Sequence, residues 1–319
     1  MTVTLSYIPY TIPFKKPFYI GHECVQEKSG IFVCIQDEGG LGIGDISPLP
    51  GLSLETLTDV ERECQRCSSI TLPSVSDDIK EMEIPLFSEL PSVQFGIESA
   101  LYSLLDRSSF TIKMNNLLMQ GDVFRGEDST MHVKYKVGRD CDQELLHILT
   151  LIDRCPSIQF RFDTNGLMNL DKSCDFFSKI PSSYIDYVED PCDNPDDFDI
   201  FHQRTGLSFA LDYRPNVSSY TRYSAGLKAL IIKPTIVGSM RSIKALQADF
   251  KKCSLVFSSS FETAVGINAI ARLSFYFNPD GVHGLSTCSY FQEPYLSSLE
   301  KSSWESLTSN RLYEWINSL

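Results

Sequence analysis

The sequence predicts a parallel α/β barrel for most of this 319-residue chain. Three observations point to it. From about residue 130, six short apolar runs alternate with helix-like stretches: "HVKYKV", "IQFRFD", "YIDYVED", "LSFALD", "LKALIIK" and "CSLVFSSS". Their ends, at Lys136, Asp163, Glu189, Asp212, Lys233 and Ser258, are spaced by 27, 26, 23, 21 and 25 residues. One strand, one helix and two loops need about 25–30 residues per unit in such a barrel. Finally, no G-x-G-x-x-G opens the first helix, which removes the main cue for a doubly wound open sheet.

The first ninety or so residues have a different character, strands followed by helix. "GIFVCIQDEGGLGIGDISPL" predicts two strands joined by a Gly-rich turn. "SLETLTDVEREC" predicts an amphipathic helix capped at Ser53, with Thr56 behind it. Residues 68–90, rich in Ser and Pro, predict a loop, and "SVQFGIESALYSLLD" a helix with small residues on one face.

Composition narrows the function classes. Lys and Arg total 28 against 41 Asp and Glu, a net charge of −13, so nucleic acid is not an expected partner. No apolar run approaches the roughly 18 residues of a membrane span. The first residues show no basic start followed by an apolar run, so no secretory leader and a cytoplasmic location are expected. Ten scattered cysteines and a lone C-x-x-C, Cys64 with Cys67, suit reduced thiols.

Chemistry concentrates at the ends of the strand-like runs. In a barrel all those ends meet at one mouth, where barrel enzymes keep their active sites. Asp163, Glu189 and Asp212 would stand side by side there, and three carboxylates stay ionised together only around a cation. Oxygen-only ligands favour a hard divalent ion, so Mg²⁺ is expected, with Mn²⁺ as a substitute. Lys134 and Lys136 precede the carboxylates in strand order and Lys233 follows them. Mutual repulsion and desolvation should lower the pKa of one lysine toward that of a base. The chemistry implied is proton abstraction α to a carboxylate, with the metal and an ammonium steadying the enediolate. Taken singly, an Asp after a strand is a helix cap, "VEDP" a turn, and paired lysines a solvated edge. The order Lys-x-Lys, Asp, Glu, Asp, Lys is what argues for a site.

This order, in "VKYKVG", "RFDTNG", "VEDP", "LD" and "IIKPTIVGS", resembles the enolase superfamily, in particular its muconate-lactonizing-like group. "GDISPLPGLSLET", "PSVQFGIESAL" and "SSSFETAVG" are similar to motifs of the o-succinylbenzoate synthase family. The resemblance spans about residues 30–290. It implies a modified (β/α)7β TIM-type barrel (residues 99–294) under an α+β N-terminal capping domain (residues 1–98), the cap being closed by the C-terminal segment 295–319. Loops near 14–25 and 47–52 would cover the mouth. It implies Lys136 as base, Lys134 as its helper, Lys233 as the opposing cation, and Asp163, Glu189 and Asp212 as metal ligands. Arg161, Asn165, Ser258, Ser260 and Gly284 would contact substrate or bound water.

The expected activity is Mg²⁺-dependent dehydration of 2-succinyl-6-hydroxy-2,4-cyclohexadiene-1-carboxylate in menaquinone biosynthesis. The partner would be a small-molecule carboxylate and the protein a monomer or weak homo-oligomer. The alternatives are an N-acylamino acid racemase or dipeptide epimerase, a Schiff-base lysine aldolase, and a non-catalytic binding protein. Two departures from the family pattern stand beside the site: Asp190 where the second residue of the acidic pair is usually Glu, and Tyr213 after Asp212.

Overall fold

In the computed structural model the described residues are 2–20, 23–37, 40–71, 82–105, 109–118, 131–215 and 226–292. The expected closing segment 295–319 lies outside them. In chain order the elements begin with strands β1 (Thr2–Ile20), β2 (Glu23–Asp37) and β3 (Gly40–Ile46), helix α1 (Leu57–Arg66), strand β4 (Ser69–Thr71) and helix α2 (Pro91–Leu105). Strands β5 (Lys113–Met114), β6 (Asn116–Leu118) and β7 (Met131–Lys136) follow. After them come α3 (Cys141–Arg154), β8 (Ile158–Asp163), α4 (Leu170–Ser178), β9 (Ile185–Glu189), α5 (Phe198–Thr205) and β10 (Phe209–Asp212). The last are β11 (Leu227–Ile232), α6 (Pro234–Val237), α7 (Met240–Asp249), β12 (Ser254–Phe257), α8 (Ala264–Phe277) and β13 (Val282–His283).

The amino-terminal strands form a four-stranded antiparallel sheet in the order β3-β2-β1-β4. Helix α2 lies directly on β3 because both surfaces lack side chains at the crossing. A Cβ on Gly44 would fall 2.8 Å from the Ala100 backbone nitrogen and closer still to the Gly96 carbonyl. Neither backbone atom can yield without separating helix from sheet. Gly44→Ala is therefore expected to cost about 1–3 kcal/mol by overpacking, read as a lower urea midpoint at unchanged m. The expected boundary between residues 98 and 99 falls inside α2.

Two expectations are corrected here. Helix α1 is capped by Thr56 rather than Ser53: the Thr56 hydroxyl accepts from the Asp59 amide at 3.2 Å, and Asp59 Oδ2 accepts from the Thr56 amide at 3.0 Å. Ser53 is occupied elsewhere, its hydroxyl accepting from the Leu49 amide at 2.9 Å. The barrel sheet also starts before residue 130, at β6. Three residues are too few to show an alternating pattern.

Strands β6 to β12 form one parallel sheet in simple sequential order. The sheet closes on itself through β13. On one side β13 meets the end of β12, where Ser258 bridges Gly284 and the Gly284 amide donates to Phe257 at 2.8 Å. On the other it pairs parallel with β5, which leads within two residues into β6.

Alternation along each strand separates the two faces. Val133, Tyr135, Phe160, Phe162, Val188, Phe209, Leu211, Leu230, Ile232, Leu255 and Phe257 join the core cluster that includes helix residues such as Ile148, Phe177 and Ile270. The residues in between point into the barrel, where Tyr187, Ala210, Ala229, Ile231 and Val256 make a second, separate apolar cluster. By the same alternation Lys134 and Lys136 lie on the inner face of β7, not on a solvated edge.

Candidate active site

Because the strands are parallel, their carboxyl ends share one rim, and register sets the height of each group. Lys136 pairs with Asp163, and Asp163 with Glu189, in one row across β7, β8 and β9. Asp212 ends β10 two residues beyond Ala210, the partner of Glu189. Lys233 and Ser258 are the first residues after β11 and β12. The structure therefore brings together all six charged groups expected from the sequence.

Lys134 Nζ donates to Glu189 Oε2 at 2.6 Å and lies 2.9 Å from Asp163 Oδ2. Lys233 Nζ donates to both oxygens of Asp212 at 2.6 Å. Lys136 is different: half-buried on the inner face of β7, its ammonium makes no hydrogen bond to the described residues. Burial lowers the Lys136 pKa, the charge of Asp163 opposes that shift, and Lys134 and Lys233 add to it. Burial also acts to lower Lys134, but Asp163 and Glu189 outweigh it and hold that amine well above its usual range. One lysine of the pair is thus fixed as a cation while its neighbour is made easier to deprotonate.

The carboxylates are unequal. Burial works to raise Asp163, but Lys134 and Lys136 hold it below the usual range. Glu189 is raised by burial and by the charge of Asp163. Asp190, next in the chain and in the left-handed region at φ 43°, is raised by burial and by Asp212. Its Oδ1 accepts from the Asp212 amide at 3.2 Å. Sequence reasoning gave Asp190 no role beyond its departure from the pattern. "VED" does place a second acid at the strand end, and the turn folds it back under Asp212. Four carboxylates thus face three ammonium groups.

Among the described residues no three Asp, Glu, His or Cys side chains close into a finished cation cage. Asp163 and Glu189 share the Lys134 ammonium, and Asp212 faces Lys233. The donor set nonetheless suits a hard divalent cation: it is all oxygen and lies on adjacent strands.

The five expected contact residues separate into three groups. Asn165, at φ 50°, supports Asp163: its backbone amide donates to Asp163 Oδ1 at 3.1 Å and its side-chain amide donates to the same oxygen. Ser258, Ser260 and Gly284 gather at the meeting of β12 and β13, and the buried Ser260 hydroxyl has no hydrogen-bond partner among the described residues. Arg161 is turned away from the rim. Asp186, second in β9, accepts from its Nε at 2.7 Å, and the carbonyl of Val282, first in β13, accepts from a terminal nitrogen. The Asp186 carboxylate holds the guanidinium toward the amino-terminal ends of the strands, so the structure gives no support to a substrate contact for Arg161.

The amino-terminal sheet covers this rim. Phe14 stacks on Phe291 at 4.8 Å between centroids and Phe18 on Phe261 at 4.6 Å, and Phe261 follows Ser260 directly. Leu49 and Leu52 join the same cluster as Ala264 and Val265 at the start of α8. Both expected covering stretches therefore supply residues that pack beside the mouth.

Comparison with known proteins agrees with this arrangement. Residues 3–104 match the family model "MenC, N-terminal domain". The o-succinylbenzoate synthase of Proteus mirabilis (strain HI4320) is 27% identical over 295 residues, covering 87% of this chain and 88% of that protein. The crystal structure of o-succinylbenzoate synthase from Thermosynechococcus elongatus BP-1, complexed with Mg in the active site, superposes with a TM-score of 0.72 at 23% identity. It covers 98% of this chain and 99% of that one. A dipeptide epimerase from Enterococcus faecalis V583, complexed with Mg and L-Leu-L-Tyr, gives a TM-score of 0.71 at 15% identity over 92% of each chain. The amino-terminal domain match, the near full-length relatives and the shared barrel make the chain similar to o-succinylbenzoate synthases along nearly its whole length, with the fold of that enzyme.

Proposed function

We propose that this protein is an o-succinylbenzoate synthase, eliminating water from 2-succinyl-6-hydroxy-2,4-cyclohexadiene-1-carboxylate to give o-succinylbenzoate for menaquinone biosynthesis. The observation that carries the reading is the contrast among the lysines. Lys136 is half-buried and free of hydrogen bonds to the described residues, whereas Lys134 and Lys233 are tied to carboxylates. One amine is suited to take a proton, and the other two are fixed as positive charge.

Asp163, Glu189 and Asp212 would hold Mg²⁺, with Mn²⁺ as a substitute, and Asn165 steadies Asp163. Bound there, the ion would supply positive charge against the ring carboxylate and ease formation of the enediolate. Lys136 removes the α-proton. The ammonium of Lys233 stands against the developing anion. Lys136, now protonated, returns its proton to the departing hydroxyl on the same face, so that water leaves and the ring becomes aromatic. Ser258, Ser260 and Gly284 are placed to meet the substrate beside Lys233. Burial first, and neighbouring carboxylates second, raise Glu189 and Asp190, and a cation bound beside them would favour their ionised forms.

In this reading residues 1–98 form the cap and 99–294 the barrel, and the protein works in the cytoplasm as a monomer or weak homo-oligomer on a small carboxylate. Among the described residues no helix is long and apolar enough to cross a membrane.

The deciding experiment is turnover of the cyclohexadiene precursor with and without chelator. Aromatisation should be followed by ultraviolet absorbance, lost with chelator and restored by added Mg²⁺. No metal-dependent product formation would overturn the proposal. Epimerase structures share this fold, so the second reading is a racemase or epimerase. It requires α-proton exchange into an amino-acid derivative in deuterated solvent.

A further inference from the structure

Glu262 has no part in the mechanism above, yet it is fully buried and both of its oxygens are used at the rim. Oε2 accepts from the Ser260 amide at 2.5 Å and Oε1 from the Thr235 hydroxyl at 2.6 Å. Each donor lies two residues beyond a rim residue: Ser260 beyond Ser258, Thr235 beyond Lys233. Lys233 is also the cap of α6, its carbonyl accepting from Ile236 at 2.8 Å and Val237 at 3.0 Å, so backbone and side-chain bonds fix this turn from both sides. One carboxylate therefore joins the end of β11 to the end of β12.

A second, adjacent set of bonds ties the same loop to the cap. Thr263 donates to Asp45 Oδ2 through its amide at 2.9 Å and its hydroxyl at 2.7 Å, and Tyr10 donates to Asp45 Oδ1 at 2.7 Å. Lys28, also buried, donates to the carbonyls of Ser47 at 2.9 Å and Pro48 at 2.8 Å, where the covering stretch begins. A Cβ on Gly266 would fall 2.6 Å from Glu262 Cβ and 2.8 Å from Asp45 Oδ2, so α8 is packed down onto both carboxylates. The two sets differ in reach. Asp45 holds cap to barrel and Lys28 braces the covering stretch within the cap, whereas Glu262 alone of the three touches both rim loops.

We infer that Glu262 is a positioning residue of this site, setting the Lys233 turn and the Ser258–Ser260 turn at fixed separation. The inference rests on the dehydratase reading and deepens it, because it names what holds the cation and the serines in place. Asn and Gln side chains cannot reproduce a carboxylate here. Glu262→Gln keeps one acceptor oxygen but turns an amide donor toward a donor. A shift of about 1 Å in a reacting group can cost on the order of 10²-fold.

Three variants test it against wild type by kcat, KM, Tm and hydrogen exchange. Glu262→Gln is expected to lower kcat by about 10–100-fold and raise KM. Exchange in peptides covering 233–237 and 258–262 should quicken. Thr235→Val, close in size and removing one of the two bonds while the carboxylate stays, should lower kcat to a smaller extent with KM nearly unchanged, and its Tm shows whether folding is kept. Asp45→Asn should lower Tm but leave kcat and KM near wild type. Wild-type kcat and unchanged exchange in Glu262→Gln would overturn the inference. So would an equal loss of kcat in Asp45→Asn, which would make the whole network one structural unit. Wild-type protein without turnover would instead sink the dehydratase reading, and the exchange pattern would still decide the role of Glu262.

Discussion

Lys136→Ala loses turnover by at least about 10²–10⁴-fold, the range a positioned general base supplies, while Mg²⁺ binding measured by calorimetry stays close to wild type. The expectation follows from the contacts around the rim. Asp163, Glu189 and Asp212 form no hydrogen bond with Lys136, so removing it leaves the carboxylates held by Lys134, Lys233 and Asn165. Lys136→Arg separates base from charge. A guanidinium keeps the positive charge but does not deprotonate in a protein, so this variant should be as inactive as the alanine variant. The pH dependence has a defined sign. The base works only when neutral, so kcat/KM rises with pH through the Lys136 pKa, which burial places below that of a free lysine. A wild-type profile flat across that range, or near-normal rates in either variant, would remove Lys136 from the base role.

Much of this site was legible because it obeys two rules that sequence exposes. Parallel strands bring their carboxyl ends to one rim, and "IQFRFD" became β8 with the bounds its alternation implies, Ile158–Asp163. Charged residues at the ends of apolar runs then had only one place to meet. What stayed hidden depends on contacts distant in the chain. Nothing in "SSSFETAVG" shows that Glu262 reaches Thr235, 27 residues away, or that Asp45 meets Thr263 across 218 residues. Arg161 shows the limit of carrying a role by position: the same strand face holds Asp163 at the rim and Arg161 one layer below. The Asp186 carboxylate, read in the sequence only as part of a strand, directs the guanidinium to the opposite end of the barrel. Helix capping failed locally for a similar reason. Ser53 is by type at least as good a cap as Thr56, and the reciprocal bonds with Asp59 are what select Thr56.

Lys233→Ala should be nearly inactive as well, for a different physical reason. An ammonium about 4 Å from a developing anion, at an effective dielectric constant near 20, contributes about 4 kcal/mol, or about 10³-fold in rate. Losing it leaves the enediolate unsupported on the side away from Lys136. If Lys233 acts only as charge, Lys233→Arg should recover a measurable part of kcat, because an arginine can still donate to Asp212 and face the anion. A racemase makes the opposite demand. There Lys233 must give and take protons, and arginine should be as inactive as alanine. The three rates of wild type, Lys233→Ala and Lys233→Arg on the cyclohexadiene precursor therefore test the mechanism and separate it from its nearest relative. Recovery by arginine supports a single base with an opposing cation. Equal loss in both variants, together with solvent deuterium entering the α-position of an amino-acid derivative in the wild-type protein, would assign the second lysine to proton transfer and reclassify the enzyme.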